Sequence, residues 1–346
     1  LSLEIGKVKN IRDMIVFIQL PGMISGYRVS GEIARPDQRA NYEPAANPVH
    51  HHLKTGYFLS YRDRTPVGRI AAIIDLLNPQ KETGFFGCFE CENDPEAASE
   101  LLNTARQWLW QNGATKMIGP ATFNTNQQVG LLIEGHELGP QPMLPHNPPY
   151  YRTLLEISGL VKHTDLLTYS WHNEMGVPKK IARVADRVRI KQEVALRRIN
   201  AFNIMREAPL VRDMFNGSMS ANWGFIPLTT EESAAMLNYC SAFADSDLMI
   251  MAWYREKPAG IALFLPCSLS GNSPKSVRAA ILGVLPQYRH KGLESYMIEH
   301  LTTIMLRKNY QSADISMIHE DNTAMLKIVT GVIGAPLTRR YRVYEK

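Results

Sequence analysis

Long apolar runs are missing from this chain. No stretch of about 18 apolar residues occurs, so no segment reads as a membrane-spanning helix. Ile15–Leu20 is too short and shares its segment with Ile11 and Asp13. Cysteine is scarce as well, with four in 346 residues. That is too few for a disulfide framework, and a reducing, cytoplasmic setting is expected. Cys88 and Cys91 form a C-x-x-C within Gly84–Cys91, a stretch of strand type. Residues three apart on a strand face opposite ways, and no second pair completes a zinc site, so buried thiols and no metal are expected. His50-His51-His52 has no carboxylate cluster beside it and reads as a surface or packing run. Charge of one sign is limited too. The net +5 and pI near 8.9 suit phosphorylated ligands or nucleic acid and demand neither.

What is present is a folded chain of more than one core. Hydrophobic content of 45%, charged content of 21% and a mean hydropathy of −0.20 are those of a globular protein, and 346 residues predict two domains. A strand, helix, strand order occurs twice. In the first copy Phe85–Cys91 is a strand and Asp94-Pro95 starts a helix with Asp94 as cap. Leu101, Leu102, Ala105, Trp108 and Leu109 form that helix's buried face, Gly113 ends it, and Lys116–Gly119 is the next strand. The second copy spans 278–318, and the two together suggest a divergent duplication. Phe58–Arg62 and Val67–Ile74 predict a hairpin turning at Arg64-Thr65-Pro66, while residues 1–30 predict a helix and loop, and 30–56, with Pro36, an irregular stretch.

The second copy is organised around Ala280–Leu293. An apolar strand ends at Pro286, a polar turn with Gly292 follows, and Leu293, Met297, Leu301 and Ile304 begin a helical stripe. This order gathers free backbone N–H groups and the positive end of a helix dipole at one point, an arrangement that binds anions. The first copy opens its helix with Glu92-Asn93-Asp94-Pro95-Glu96, whose carboxylates would repel phosphate. If one half takes a phosphorylated ligand, it is the second.

Between the copies lie two further stretches. Pro140–Tyr151, stiffened by prolines that include Pro142, brings His146, Asn147, Tyr150 and Tyr151 together, either as an ordered loop packed on the core or as the wall of an acceptor site. Residues 176–193 carry Lys179, Lys180, Arg183, Arg187, Arg189 and Lys191, with Ile181, Val184 and Val188 on one side, and predict a basic linker helix. A second domain then starts near Val194, with a helix start at Thr229-Thr230-Glu231-Glu232, strands at Leu248–Tyr254, Ala259–Leu265 and Ala313–Ile318, a helix at Thr323–Val329 and a closing strand at Arg340–Tyr344.

Gln287–Glu294 resembles the pyrophosphate loop of the GNAT acyltransferases, with Arg289 and Gly292 matching and Glu294 standing where that family has a small residue. Asp321-Asn322 before a short helix resembles the family's final motif. Gly68–Asp75, Gly119-Pro120, Pro145–Tyr151 and Asn222-Trp223-Gly224-Phe225 are similar to a group of bacterial tandem GNAT proteins, and the likeness spans nearly the whole chain. It implies an α/β fold of two GNAT-like domains, each a mixed twisted sheet with splayed central parallel strands and flanking helices. The first, 1–175, would be degenerate and on the acceptor side; 176–193 would link it to the donor-binding domain, 194–346.

The resemblance further implies coenzyme A or acyl-CoA as donor and a small-molecule amine as acceptor. Leu282, Gly283 and Val284 would line the acyl arm, Arg289, His290, Lys291, Gly292, Leu293 and Glu294 would form the phosphate loop, and Asn322 would support the strand gap. The family's usual proton-transfer groups are absent from this half: Arg278–Leu285 holds no carboxylate, and the tyrosine position falls near Val329. Three explanations stand: groups from the first half, with His146, Tyr150 and Tyr151 as catalytic candidates, take over the proton transfers; water suffices for an amine of low pKa; or the donor is not a thioester. Phe123, Asn124, Asn126, Asn147 and Trp223 are the acceptor-site candidates. Glu294 competes with a pyrophosphate at the dipole by about 1 kcal/mol. That leaves open an aminoacyl-tRNA donor, as in the Fem-type and leucyl/phenylalanyl transferases, with the basic helix and Arg197-Arg198 on the tRNA backbone. A non-catalytic ligand-binding role is the third reading.

Overall fold

The computed structural model describes residues 2–24, 39–141, 143–267 and 275–346; Pro36 and Pro142 fall outside them. The chain divides into two compact units, residues 1–166 with 339–346, and residues 167–338. These bounds differ from the expected cuts at 175 and 194. The C-terminal segment returns to the first unit, and the basic helix belongs to the second.

The first unit begins with β1 (Leu3–Lys7) and α1 (Ile11–Gln19), the helix capped by the Asn10 side chain. Sequence reading placed no strand before α1. β1 exists because its edge pairs antiparallel with β2 (Leu53–Arg62), Leu3 opposite Arg62. β3 (Thr65–Asp75) follows β2 through a tight turn at Asp63 and Arg64, both in the left-handed region, so the turn lies before Thr65-Pro66. β4 (Thr83–Cys91), α2 (Pro95–Gln111) and β5 (Lys116–Gly119) form the strand, helix, strand unit. Short strands β6 (Ala121–Thr122), β7 (Gln128–Val129) and β8 (Leu131–Glu134) precede α3 (Tyr151–Ile157). β9 (Val161–His172) gives its residues up to Leu166 to this unit. Leu101, Leu102, Ala105 and Leu109 of α2 and Leu154 and Leu155 of α3 are fully or almost fully buried in one core with Ile70 and Phe86.

The second unit takes the rest of β9, then α4 (Lys179–Lys191), β10 (Val194–Arg198), α5 (Ile204–Met219) and α6 (Thr230–Phe243). α6 opens on a full capping box between Thr229 and Glu232. β11 (Met249–Tyr254) and β12 (Lys257–Pro266) form a hairpin whose turn, Arg255-Glu256, repeats the left-handed pair of the first unit. β13 (Ser276–Val284), α7 (Leu293–Arg307) and β14 (Ser312–His319) follow, then α8 (Thr323–Ile328), which runs into one π turn, and β15 (Leu337–Glu345). Strand order here is β9-β14-β13-β12-β11-β10. Met297, Leu301, Ile304 and Met305 of α7 pack on Ile250, Ala262 and Val277.

Each unit has a parallel strand pair among its described pairings, and in each that pair separates. β4 and β5 pair from Thr83/Lys116 to Phe85/Ile118, while β4 continues to Cys91. β13 and β14 pair from Ser276/Ser312 to Ala279/Ile315, while β13 continues to Val284. A bulge marks each departure. The β3–β4 register shifts between Arg69 and Ala71, where Cys88 has φ 49°, and the β12–β13 register shifts between Leu263 and Phe264, leaving Ala280 unpaired. A bulge bends its strand and sharpens the twist, which turns the end of the strand away from its parallel neighbour.

Candidate active site

In the second unit the loop between β13 and α7 is built from Pro286–Gly292. Gly292 is the N-terminal cap residue, with φ 85° and no side-chain cap, and among the described residues no chain group accepts from the N–H groups of His290 to Ser295. The first helical bond runs from Tyr296 N to Gly292 O. A fifteen-residue helix thus points an unsatisfied positive end at the loop. The Arg289 side chain faces inward: Nε donates to Val284 O at 3.2 Å and Nη2 to Ser218 O at 3.0 Å, tying the loop to the end of β13 and the last turn of α5. His290 and Lys291 are exposed, and the Lys291 ammonium lies 4.4 Å from the Tyr254 ring centroid. Leu293 is buried in the core, and Glu294 is half-buried in the first turn.

Gly292 has a second reason to be glycine. A Cβ there would stand 2.9 Å from both Val184 Cγ1 and Val188 Cγ2, so α4 packs directly on the loop. Gly283 is similarly confined, since its Cβ would meet Ser218 Oγ at 2.4 Å. Beyond the last β14 partner, Leu282 is half-buried and Val284 buried. Asn322 caps α8 by accepting from Met325 N at 3.1 Å, which fixes the turn after β14. At that turn the Trp223 and His319 rings stack, 5.6 Å between centroids and 17° between planes. His319 Nδ1 accepts from Asp321 N at 3.2 Å, which puts the ring proton of the neutral form on Nε2. His319 was not singled out in the sequence, because its partner lies almost a hundred positions away.

The first unit treats its own gap differently. Cys88 N donates to Thr122 Oγ1 at 2.7 Å, Cys91 N donates to Tyr151 Oη at 3.0 Å, and Tyr150 Oη donates to Cys91 O at 2.8 Å. Tyr151 also donates to Glu90 Oε2 at 2.7 Å. A Cβ on Gly87 would lie 2.1 Å from Ala121 O, so the β6 backbone fills the space beside β4. Burial pushes the Tyr150 phenol up to about 12 and the Tyr151 phenol well above its ordinary value, and nearby carboxylates add to both. α2 is capped by its own Asp94, whose side chain accepts from Glu96 N and Ala97 N at 3.1 Å each. Arg62 pairs with Asp94 at 2.9 Å and holds that carboxyl below its usual range.

These partners change how the candidates of the first unit read. Tyr151, 1% exposed, and Asn147, whose side chain bonds both backbone groups of Leu132, brace the unit's interior. His146 is half-buried 6.4 Å from the His136 ring, and burial first, then His136 and Arg339, lower its pKa. Phe123 is buried against Tyr42 and His50. Asn126 is half-buried, its N–H held by Asn124 Oδ1 at 3.0 Å. Asn124 Nδ2 donates to Asp75 Oδ2 at 2.9 Å, and Asp75 Oδ1 lies 2.8 Å from His52 Nδ1. This buried aspartate–histidine contact was missed: the histidine triplet reads as local, while its carboxylate comes from the far end of a hairpin.

Comparison with known proteins follows the same lines. No family model matches the chain. It is 30% identical over 340 residues to Protein YghO of Escherichia coli, covering 89% of this chain and 86% of that one. It is also 30% identical over 336 residues to the bacterial ceramide synthase of Caulobacter vibrioides, covering 88% and 86%. A tandem GNAT protein from the clavulanic acid biosynthesis pathway superposes with a TM-score of 0.59 at 12% identity, over 100% of this chain and 98% of that one. The chain is a tandem GNAT protein of the YghO and bacterial ceramide synthase family. Within the fold, β4 to α2 in the first unit is the counterpart of β13, the 286–292 loop and α7 in the second. Of the basic groups suggested for tRNA, three are engaged: Arg197 pairs with buried Glu207 at 2.6 Å, Arg198 with Asp247 at 2.8 Å, and Arg189 with Glu299 at 2.9 Å.

Proposed function

We infer that the protein is an N-acyltransferase that moves an acyl group from acyl-CoA to the amine of a small molecule, with the donor held by the second unit. The observation that carries this reading is the uncapped start of α7 beside a parallel strand pair that separates after Ala279 and Ile315. The N–H groups from His290 to Ser295 suit the donor phosphates, and Lys291 adds positive charge. The separated strands leave β13 near Leu282 without a β14 partner, beside which an extended pantetheine arm fits. The Trp223–His319 stack marks the acceptor end. There the amine nitrogen forms the new bond to the acyl carbon as the carbon–sulfur bond breaks; nitrogen loses a proton and sulfur gains one. Ceramide is the amide of a long-chain amino alcohol, so the name of the Caulobacter relative supports a long-chain amine as acceptor.

Calorimetric titration with hexadecanoyl-CoA tests the donor site. Gly292 is a poor probe, since any side chain there disturbs α4. The double variant His290→Glu, Lys291→Glu puts two carboxylates before the helix and is expected to weaken binding by roughly 30-fold, from about 1 kcal/mol per reversed charge. Unchanged affinity in that variant would reject the loop as the donor site. Mass-spectrometric detection of an amide formed from hexadecanoyl-CoA and a long-chain amino alcohol tests the chemistry.

A further inference from the structure

The second unit shows a basic surface that the acyl-transfer reading does not use. α4 buries Ile181, Ala185 and Val188 and turns the opposite side outward. Lys179, Lys180, Arg183 and Arg187 are all exposed there, and none has an ion-pair partner among the described residues. Ile190, at 79% exposure, stands at the end of the same side. Arg189, in contrast, bridges Asp186 and Glu299 and lies over the Tyr296 ring.

The contacts fix how this helix lies against the donor loop. Arg189 meets Tyr296 and Glu299 in the second turn of α7, and Val184 and Val188 meet Gly292 at its start. α4 therefore runs in the same sense as α7, and its first turn, with Lys179 and Lys180, extends past the α7 N-terminus. Lys180 continues the Val184–Val188 row, while Arg183 and Arg187 form the row beside it. A cationic strip with one exposed apolar residue borders the mouth of the loop.

We propose that this strip is the docking surface for an acidic carrier protein that delivers its acyl group on a phosphopantetheine arm. The proposal rests on the acyl-transfer reading of the same loop. Charge complementarity selects the partner: four unpaired cations on one helix face ask for an acidic surface, and Ile190 offers a single apolar contact. Glu294 points the same way. A carboxylate in the first helical turn opposes a second phosphate there, and a carrier-bound arm brings one phosphodiester where CoA brings a pyrophosphate. A lone isoleucine gives a bilayer little to hold, which argues against a membrane as the occupant.

The probe is a bacterial fatty-acid acyl carrier protein, free and loaded with a hexadecanoyl arm. Its binding to the intact chain is measured by surface plasmon resonance at rising salt, and kcat/KM is compared for hexadecanoyl-carrier protein and hexadecanoyl-CoA. The triple variant Lys180→Glu, Arg183→Glu, Arg187→Glu is expected to lose carrier binding at least 30-fold and to lose kcat/KM on the loaded carrier to the same extent. Its kcat/KM on hexadecanoyl-CoA should change less than threefold. Ile190→Ala, neutral and exposed, should weaken carrier binding about threefold. Equal losses on both donors, restored by a dephospho-CoA thioester, would make the strip a subsite for the CoA 3′-phosphate and overturn the proposal. So would unaltered carrier binding in the triple variant, or binding of the wild type to vesicles of anionic phospholipid but not to the carrier. Carrier binding without turnover on either donor would uphold the surface and count against the acyl-transfer reading instead.

Discussion

The two strand, helix, strand units start from the same plan and end in opposite chemistry. In both, a hairpin with a left-handed two-residue turn leads to a bulged strand that leaves its parallel partner, and a helix follows. The first unit then satisfies its exposed strand end from within, with Thr122, Tyr150 and Tyr151 hydroxyls on β4 and a carboxylate cap on α2. The second leaves the first N–H groups of α7 without chain partners among the described residues and covers the end of β13 with Arg289 on Val284 O. An unsatisfied backbone group costs stability when buried, so a site that keeps such groups ready needs a ligand or water to complete it. The contrast shows degeneration as a set of particular hydrogen bonds: where the chain supplies its own donors and acceptors, nothing is left for a guest.

The comparison can be broken in graded steps. Tyr151→Phe removes the hydroxyl that Cys91 N and Glu90 share, leaving a buried N–H unsatisfied and taking one hydrogen bond from Glu90, and should lower stability by about 2–3 kcal/mol in urea unfolding. CoA binding should be unaffected on the proposed reading, which assigns the donor to the second unit. Asp94→Ala strips the cap and the Arg62 partner from α2 and should cost about 1–2 kcal/mol by the same measurement. If it also created a second CoA site in calorimetry, the closed gap beside β4 would not be what keeps that unit silent. Glu294→Ser is the smallest change. It should tighten CoA binding about fivefold, in line with roughly 1 kcal/mol for a charge in the first helical turn.

Much of this could be read from local order. The Asp94 cap, the α2 face, the basic helix and the 280–293 sequence all rest on neighbours within a few turns, where period and cap chemistry decide. The GNAT resemblance rested on the same short stretches. Less legible were features that join distant residues. Tyr151 reads as a catalytic hydroxyl until β4, 60 positions earlier, closes on it. Gly292 reads as a phosphate glycine, and only the fold adds that Val184 and Val188 press on it. His52 and Asp75 meet because β2 and β3 form a hairpin, and Trp223 finds His319 only when the turn before α6 reaches the end of β14. Side-chain chemistry was visible in the sequence, but whether a group was occupied was not.

Residues 339–346 carry a consequence for synthesis. Residues 339–346 belong to the first unit, although 167–338 stand between them and the rest of it. Tyr344 lies in that unit's core and pairs with Gly119, Arg342 holds buried Asp165 at 2.9 Å, and Lys346 Nζ caps Ser158 O at 2.7 Å. On the ribosome the N-terminal unit emerges first yet lacks this strand until all of 167–338 has been read. The second unit can therefore finish folding before the first. A nascent chain halted before Leu337–Glu345 would leave the earlier-made half open, with the edge of β5 that β15 pairs exposed to chaperones.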